Sequence, residues 1–215
     1  MKKILISSPR CGSTVGQRYY EEDGIKCSDL FGWHEFFLDA PHGIRKPLDW
    51  KVDFIETLDC NFHYKLHAFH LFYGYKDGIL YDWFKEFYNE TEVVVLKRKD
   101  TWRAYISLLV HHTLGRKHNW HKYSVQDEED LEKICTGVSF KYNEDLENAF
   151  KYQQQCLNAV EGDVIYLEDQ DYTEKMKWEI DYERFIRREE LELLRANFSS
   201  VSERFYEEPS DHRRG

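Results

Sequence analysis

The residues with the clearest chemical potential lie in a short loop, residues 8–14, which reads SPRCGST and follows a brief apolar run. A strand that leads through such a loop into a helix near Ser13 is an arrangement that binds phosphate-like anions. Gly12 lets the backbone approach an anion closely, and the loop N–H groups and the positive end of the helix dipole would face it. Arg10 adds a permanent charge, and Thr14 adds a hydroxyl donor. The pattern predicts an anion-binding loop, with an ordinary capped strand-to-helix turn as the alternative.

This loop differs from the P-loop of ATP- and GTP-binding proteins. The pattern GxxxxGK[ST] places a Lys directly before the hydroxyl residue, because that Lys reaches the β- and γ-phosphates. Gly12 occupies the corresponding place here. The missing Lys therefore argues against an ATP or GTP kinase.

A second basic segment, residues 97–103, reads KRKDTWR and follows the apolar run 93–96. Its positive charges are close together in an otherwise acidic protein and belong to Lys97, Arg98, Lys99 and Arg103. The segment would stand at the carboxyl end of a central strand, where open α/β sheets bind ligands. We expect a second anion contact here, and the alternative is a basic turn exposed to solvent.

Both segments resemble elements of sulfotransferases that use 3′-phosphoadenosine-5′-phosphosulfate (PAPS) as the sulfonate donor. Residues 8–14 are similar to the 5′-phosphosulfate loop of that family, roughly [ST]xPRSGST, with Cys11 in place of the usual Ser. Residues 96–107 resemble the 3′-phosphate element of the bacterial trehalose-type group, roughly LxRRDxxxQAVS. The resemblance implies a PAPS site formed by Arg10, Cys11, Gly12, Ser13, Thr14, Arg98, Lys99 and Ser107.

Sulfonate transfer needs a base for the acceptor hydroxyl and positive charge near the oxygen that leaves. Arg10 is the predicted partner of that leaving oxygen. Residues 29–37 resemble the segment of the trehalose-type group in which a Glu is the proposed base, and Glu35 falls on its position. Aromatic neighbours would raise the pKa of this carboxyl toward a useful value. The competing bases are His34, His67 and His70.

Lys65 stands on a predicted strand that resembles the second strand of these enzymes, where it would help to neutralise the transferring group. Structural alternatives remain for each of these residues. Glu35 could be an exposed helix cap, and Lys65 and His67 could be strand residues with solvated ends.

The elements that must position these residues follow from the apolar spacing. Strands are predicted at residues 4–6, 64–69, 93–96 and 164–167, and helices near 13, at 81–88, 101–113 and 144–160 and over most of 172–207. Asp100 stands where a helix N-cap is expected. Strands separated by helices predict an α/β domain with a mainly parallel central sheet. The resemblance implies a P-loop-like three-layer sandwich, in which residues 165–169 match the late strand and YED turn.

Composition and charge limit the classes of partner. The 215 residues carry 30 Lys and Arg against 40 Asp and Glu, which gives a formal net charge of −10, and 41% are hydrophobic. These values predict a soluble globular protein, and the absence of linkers and repeats predicts a single domain over residues 1–215. The acidic balance argues against a general binder of nucleic acid or of anionic membranes. It leaves room for one small anion held by local basic groups.

Cysteine and histidine usage predicts neither disulfides nor a metal site. The five cysteines are odd in number, scattered and without a CxxC pair, which favours reduced thiols. His111 and His112 are adjacent on a predicted helix and point to different faces, without a third ligand at a sensible spacing. The first apolar run is too short for a signal peptide, and no run has the length of a membrane span. A cytoplasmic location is therefore predicted.

Together these patterns predict a sulfotransferase that moves a sulfonate group from PAPS to a hydroxyl of a carbohydrate or small-molecule acceptor. Two rival hypotheses remain open. The first is a P-loop nucleotide kinase or other phosphoryl transferase, for which the missing Lys is the discriminating feature. The second is a non-catalytic nucleotide-binding module of the same fold.

Overall fold

The computed structural model of the chain describes residues 2–11, 25–26, 50, 53, 62–67, 91–118, 128–169 and 180–198. Its strands are β1 (Lys2–Ser7), β2 (Ile25–Lys26), β3 (Phe62–His67), β4 (Thr91–Lys97) and β5 (Asp163–Tyr166). Its helices are α1 (Thr101–His118), α2 (Glu128–Cys135), α3 (Glu144–Asn158) and α4 (Arg188–Asn197), with 3₁₀ turns at Leu167–Asp169 and Tyr182–Phe185. The helices predicted near residue 13 and at 81–88 lie outside the described residues.

The five strands form one sheet in the order β2-β3-β1-β4-β5, and all of its pairs are parallel. Ile4 lies opposite Tyr64 on one side and Val93 on the other, so β1 is the central strand. This is an α/β arrangement with a parallel sheet, as the alternation of strands and helices predicts.

The strand order also defines where a ligand would bind. After β1 the chain continues to β2 and β3 on one side of the sheet, whereas after β4 it continues to β5 on the other side. Neighbouring strands whose connections diverge leave a crevice at their carboxyl ends, and open parallel sheets bind ligands there. In this chain that crevice lies between the ends of β1 and β4.

Local capping explains where two of the helices begin. The Oδ1 atom of Asp100 accepts a hydrogen bond from the backbone N–H of Arg103 at 3.0 Å, which confirms the predicted N-cap of α1. At the start of α3, Oδ1 of Asn143 accepts from the N–H of Leu146, also at 3.0 Å. α1 continues past its predicted end and includes Gly115.

The core forms around α1 and the central strands. Residues Val93 to Leu96 are buried, because parallel strands are covered on both faces. Tyr105 of α1 is fully buried, with its ring 5.7 Å from that of Phe150 on α3 and 5.0 Å from that of Phe198. The segment after the sheet therefore docks on α1. In the described part of the chain, no helix combines the length and the apolar character needed to cross a membrane.

The predicted boundaries differ from the observed ones where tertiary pairing decides them. β3 begins two residues before the predicted start at Tyr64, because His63 pairs with Lys3 of β1 and Phe62 pairs with Ile25 of β2. The charged region 172–207 is predicted to be mostly helical. Its described part contains one 3₁₀ turn and the helix α4.

Candidate functional site

The loop after β1 begins with a tight turn. The backbone N–H of Cys11 donates to the carbonyl of Ser8 at 3.2 Å, with Pro9 in the second position and Arg10 in the third. Arg10 has φ = 67°, in the left-handed region. Proline followed by a residue of positive φ matches a type II turn, whose third position is usually Gly. A non-glycine residue in this conformation costs about 1–2 kcal/mol, so the turn holds Arg10 under strain.

The side chain of Arg10 brings the two predicted anion-binding segments together. Its Nε atom donates to Oγ of Ser107 at 2.9 Å, although the two residues are 97 positions apart in the chain. Ser107 lies on α1 and is 3% exposed. The Nη2 atom of Arg10 donates to Oη of Tyr182 at 3.3 Å. Arg10 is thus held by two neutral hydroxyl groups.

Arg10 has no acidic counter-ion among the residues that the structure describes. Burial lowers its pKa, Tyr182 opposes this shift, and the positive charge of Arg98 lowers the pKa further. A guanidinium keeps its proton at neutral pH even so. A partly buried cation without a carboxylate partner is unfavourable, and a bound anion would offset that cost. The electrostatics at the end of β1 therefore favour an anion.

The buried side chain of Gln154 contacts the turn through Ser8. Oγ of Ser8 and Sγ of Cys11 lie 2.9 Å apart, and Nε2 of Gln154 donates to Oγ of Ser8 at 2.6 Å. Burial raises the pKa of the Cys11 thiol, which keeps it protonated and poorly nucleophilic at neutral pH. Gln154 is not among the site residues that the sequence predicts. Its helical spacing from Phe150 and Leu157, which are apolar and buried, was the signal that places it on the inner face of α3.

The basic end of β4 is bound by the turn that follows β5. Nε of Arg98 donates to Oε1 of Glu168 at 3.3 Å, and the backbone N–H of Lys99 donates to Oε2 of the same carboxylate at 3.0 Å. Nζ of Lys99 pairs with Asp169. Burial by itself raises the pKa of Glu168, but hydrogen bonds from the N–H groups of Lys99 and Asp100 and from Arg98 lower it overall. Glu168 and Asp169, which belong to the predicted YED turn, therefore neutralise part of the predicted 3′-phosphate element.

Arg98 and Lys99 differ in their accessibility. The side chain of Arg98 is 8% exposed and close enough to Arg10 to influence its pKa. The side chain of Lys99 is 53% exposed, and its ammonium lies 5.5 Å from the centre of the Tyr166 ring. Arg98 thus belongs to the same electrostatic environment as Arg10, whereas the described contacts of Lys99 are with the end of β5.

Tyr182 is a site residue that the sequence does not predict. Its Oη atom lies 3.1 Å from Nε2 of His111, in addition to its contact with Arg10, and the Tyr182 and His111 rings meet edge to face at 5.6 Å. Local sequence carries no signal for this role, because the residue reaches the site only through the docking of residues 180–198 on α1. A cavity of about 10 Å³, the size of one water molecule, lies between Tyr182, Arg98 and Arg103.

The remaining predicted site residues divide between those outside and those inside the described part of the chain. Gly12, Ser13, Thr14 and Glu35 lie outside the described residues, as do the alternative bases His34 and His70. Lys65 and His67 are described by their backbone on β3, where Lys65 lies opposite Leu5 and His67 lies opposite Ser7. The register therefore brings His67 to the same edge of the sheet as the loop after β1.

A larger cavity, of about 260 Å³, lies at the end of α2. It is lined by Cys135, Gly137, Arg184 and Arg187, among others, and by none of the predicted site residues. Arg187 is paired with Glu190 there. The charge of that cavity is thus partly neutralised, in contrast to the surroundings of Arg10.

The described residues contain no group of three or more His, Cys, Asp and Glu side chains arranged to hold a metal ion. What they do contain is a strained, uncompensated arginine at the crevice of a parallel sheet, together with a buried serine and a second arginine. Such an arrangement can bind a compact anion. Comparison of the chain with family models, with curated proteins and with solved structures finds no match.

Proposed function

We propose that this chain is a PAPS-dependent sulfotransferase, with a P-loop-like sandwich fold, that transfers a sulfonate group to a hydroxyl of a carbohydrate or small molecule. One observation carries the proposal. Arg10, in the loop that resembles the 5′-phosphosulfate loop, is bonded to Ser107, in the helix that resembles the 3′-phosphate element. The two resemblances were drawn from separate segments, and their residues meet at one point.

The electrostatics of that point support an anionic donor substrate. Arg10 has no carboxylate partner among the described residues, and Arg98 lies close enough to disfavour its charge. Two guanidinium groups that repel each other are stabilised when an anion of two phosphate-like groups binds between them. The position between the ends of β1 and β4 is also where a parallel sheet of this strand order accepts a ligand.

The proposed reaction forms a bond between the acceptor oxygen and sulfur and breaks the bond between sulfur and the bridging oxygen of the 5′-phosphate. Arg10 and the N–H groups of the loop would stabilise the negative charge that develops on that oxygen. Glu35 would take the proton of the acceptor hydroxyl, with His67 as the competing base. Lys65 would neutralise charge on the transferring group.

Calorimetry tests the donor site by comparing the affinity of the chain for adenosine 3′,5′-bisphosphate, the desulfated product, with its affinities for ATP and GTP. We expect binding of the bisphosphate, and losses of about tenfold to a hundredfold in Arg98→Ala and Ser107→Ala, the scale of a hydrogen bond to a charged group. Arg188→Ala is the matched control, because its side chain is 91% exposed and pairs only with Glu192 among the described residues. Glu35→Gln should lower turnover and leave binding intact.

The outcomes separate this proposal from its rivals. Hydrolysis of ATP without binding of the bisphosphate would identify a phosphoryl transferase. Binding of the bisphosphate without transfer to any hydroxyl, and without an effect of Glu35→Gln, would identify a binding module. An unchanged affinity in Arg98→Ala would remove the assignment of the 3′-phosphate contact.

A further inference from the structure

We propose that Tyr182 is a positioning residue, which holds the Arg10 guanidinium in the orientation that presents it to the anion. The inference rests on the proposed function for the identity of that anion. It concerns a residue outside both family-like segments, 172 positions away from Arg10 in the chain.

The geometry of the guanidinium supports this role. The group is planar and carries five N–H bonds in fixed directions. In this structure Nε donates to Ser107 and Nη2 donates to Tyr182. Both hydrogen bonds therefore leave from the same edge of the guanidinium group. Two bonds along one edge define the plane of the group as well as its direction. The Nη1 end has no partner within the described part of the chain and is the end available to an anion.

One hydroxyl alone would not achieve this orientation. A single bond between Arg10 and Ser107 would leave the guanidinium plane free to rotate about that bond. Tyr182 supplies the second point, and its own hydroxyl is restrained by His111 at 3.1 Å. A tyrosine oxygen can accept a hydrogen bond from Arg10 while its own O–H donates to His111, so both contacts can exist together.

The position of Tyr182 is fixed by neighbours that do not touch Arg10. Glu183, the next residue, accepts hydrogen bonds from Nε1 of Trp102 on α1 and from Nη2 of Arg195 on α4. Asp181 caps the 3₁₀ turn by accepting from the N–H of Glu183 at 3.2 Å. These contacts hold the turn against α1, so that Tyr182 meets an arginine that is already constrained by its own turn.

A double-mutant cycle on ligand affinity tests whether Tyr182 acts through Arg10. We expect Tyr182→Phe to weaken binding of adenosine 3′,5′-bisphosphate about five- to tenfold, less than the loss of a direct contact with the ligand, because the hydroxyl acts on the ligand only through Arg10. In the Arg10→Ala background the same change should have no further effect, because there is no guanidinium left to orient. Equal weakening in both backgrounds would overturn the inference.

Tyr142→Phe is the matched control for loss of a tyrosine hydroxyl. Tyr142 donates to Glu147, far from the anion-binding turn in the chain, and the phenyl ring of the variant preserves the packing. This variant should bind the bisphosphate as the parent does. Weakening of binding by Tyr142→Phe to the same extent would show a general destabilising effect and would also overturn the inference.

A measurement without ligand separates this inference from the proposed function. Nitrogen NMR resolves arginine Nε–H groups, and the signal of Arg10 is identified by its loss in Arg10→Ala. We expect Tyr182→Phe to shift this signal and to speed its exchange with water, and Tyr142→Phe to leave it unchanged. A shifted signal in a protein that binds no bisphosphate supports positioning and rejects the proposed function. An unshifted signal in a protein that does bind it rejects positioning alone.

Discussion

Replacing Arg10 by Gly and by Ala should produce two proteins that differ in stability and agree in a weakened but still measurable binding of the anion. Both variants lose the guanidinium and its bonds to Ser107 and Tyr182. Only alanine keeps a Cβ atom at φ = 67°. The difference between the two variants therefore isolates the backbone strain of the turn from every effect of the side chain beyond Cβ.

The size of the difference follows from two opposing terms. Removing Cβ from a left-handed residue relieves about 1–2 kcal/mol of steric strain. Glycine also gains more freedom in the unfolded chain, which costs about 0.5–1 kcal/mol. The glycine variant should therefore be more stable than the alanine variant by about 0.75 kcal/mol, the difference between the midpoints of the two ranges. For a chain of this length, each kcal/mol corresponds to about 2–4 °C in the unfolding midpoint.

Urea unfolding followed by circular dichroism measures the difference in the free energy of unfolding, and calorimetry with adenosine 3′,5′-bisphosphate measures the loss of affinity. An alanine variant as stable as the glycine variant would refute the strained turn. Retention of affinity in either variant would refute the role of Arg10. Under the proposed function, the arginine that this strained turn orients contributes to binding rather than to stability.

Two further predictions concern the packing around the site. Tyr105→Phe should raise the free energy of unfolding by about 1 kcal/mol, because the buried hydroxyl has no hydrogen-bond partner among the residues that the structure describes. Burial raises the pKa of Tyr105 from the ordinary tyrosine value of 10.0 to about 12. The parent protein should therefore lose stability as the pH rises from 10.0 toward 12. The Phe variant should lose less stability over the same range in urea titrations. Gly162→Ala should destabilise by about 1–3 kcal/mol, because its Cβ would lie 2.7 Å from the carbonyl oxygen of Val93. The same unfolding measurement on Gly137→Ala, where no atom lies within 4 Å, gives the smaller cost of a positive φ alone, and an equal loss in both variants would contradict the close approach.

Local chemistry predicts much of the framework. The run from Val93 to Leu96 indicates a buried strand because every side chain is apolar, and the structure places it beside the central strand. Asp100 predicts a cap because its carboxylate is short enough to reach a backbone N–H of the first helical turn. Such interactions span a few residues, so sequence alone determines them.

The pairing of charged and polar groups is different. From the sequence, Arg98 and Lys99 are equally good candidates for a phosphate, and nothing nearby indicates that Glu168 binds the first and Asp169 the second. That pairing follows from the parallel alignment of β4 with β5. The acidic residues reach the basic ones only after two strands distant in the chain become neighbours.

The residue types and their local spacing indicate the chemistry available at the end of β1, a loop with an arginine and small polar residues, and the buried strands that carry it. The partners of these residues depend on tertiary contacts. Ser107 and Tyr182 meet Arg10 because α1 and residues 180–198 dock against the ends of β1 and β4, across separations of 97 and 172 residues. Periodicity and capping act over one or two turns of helix, whereas a site assembled from distant segments depends on the order of the strands and on the packing between them.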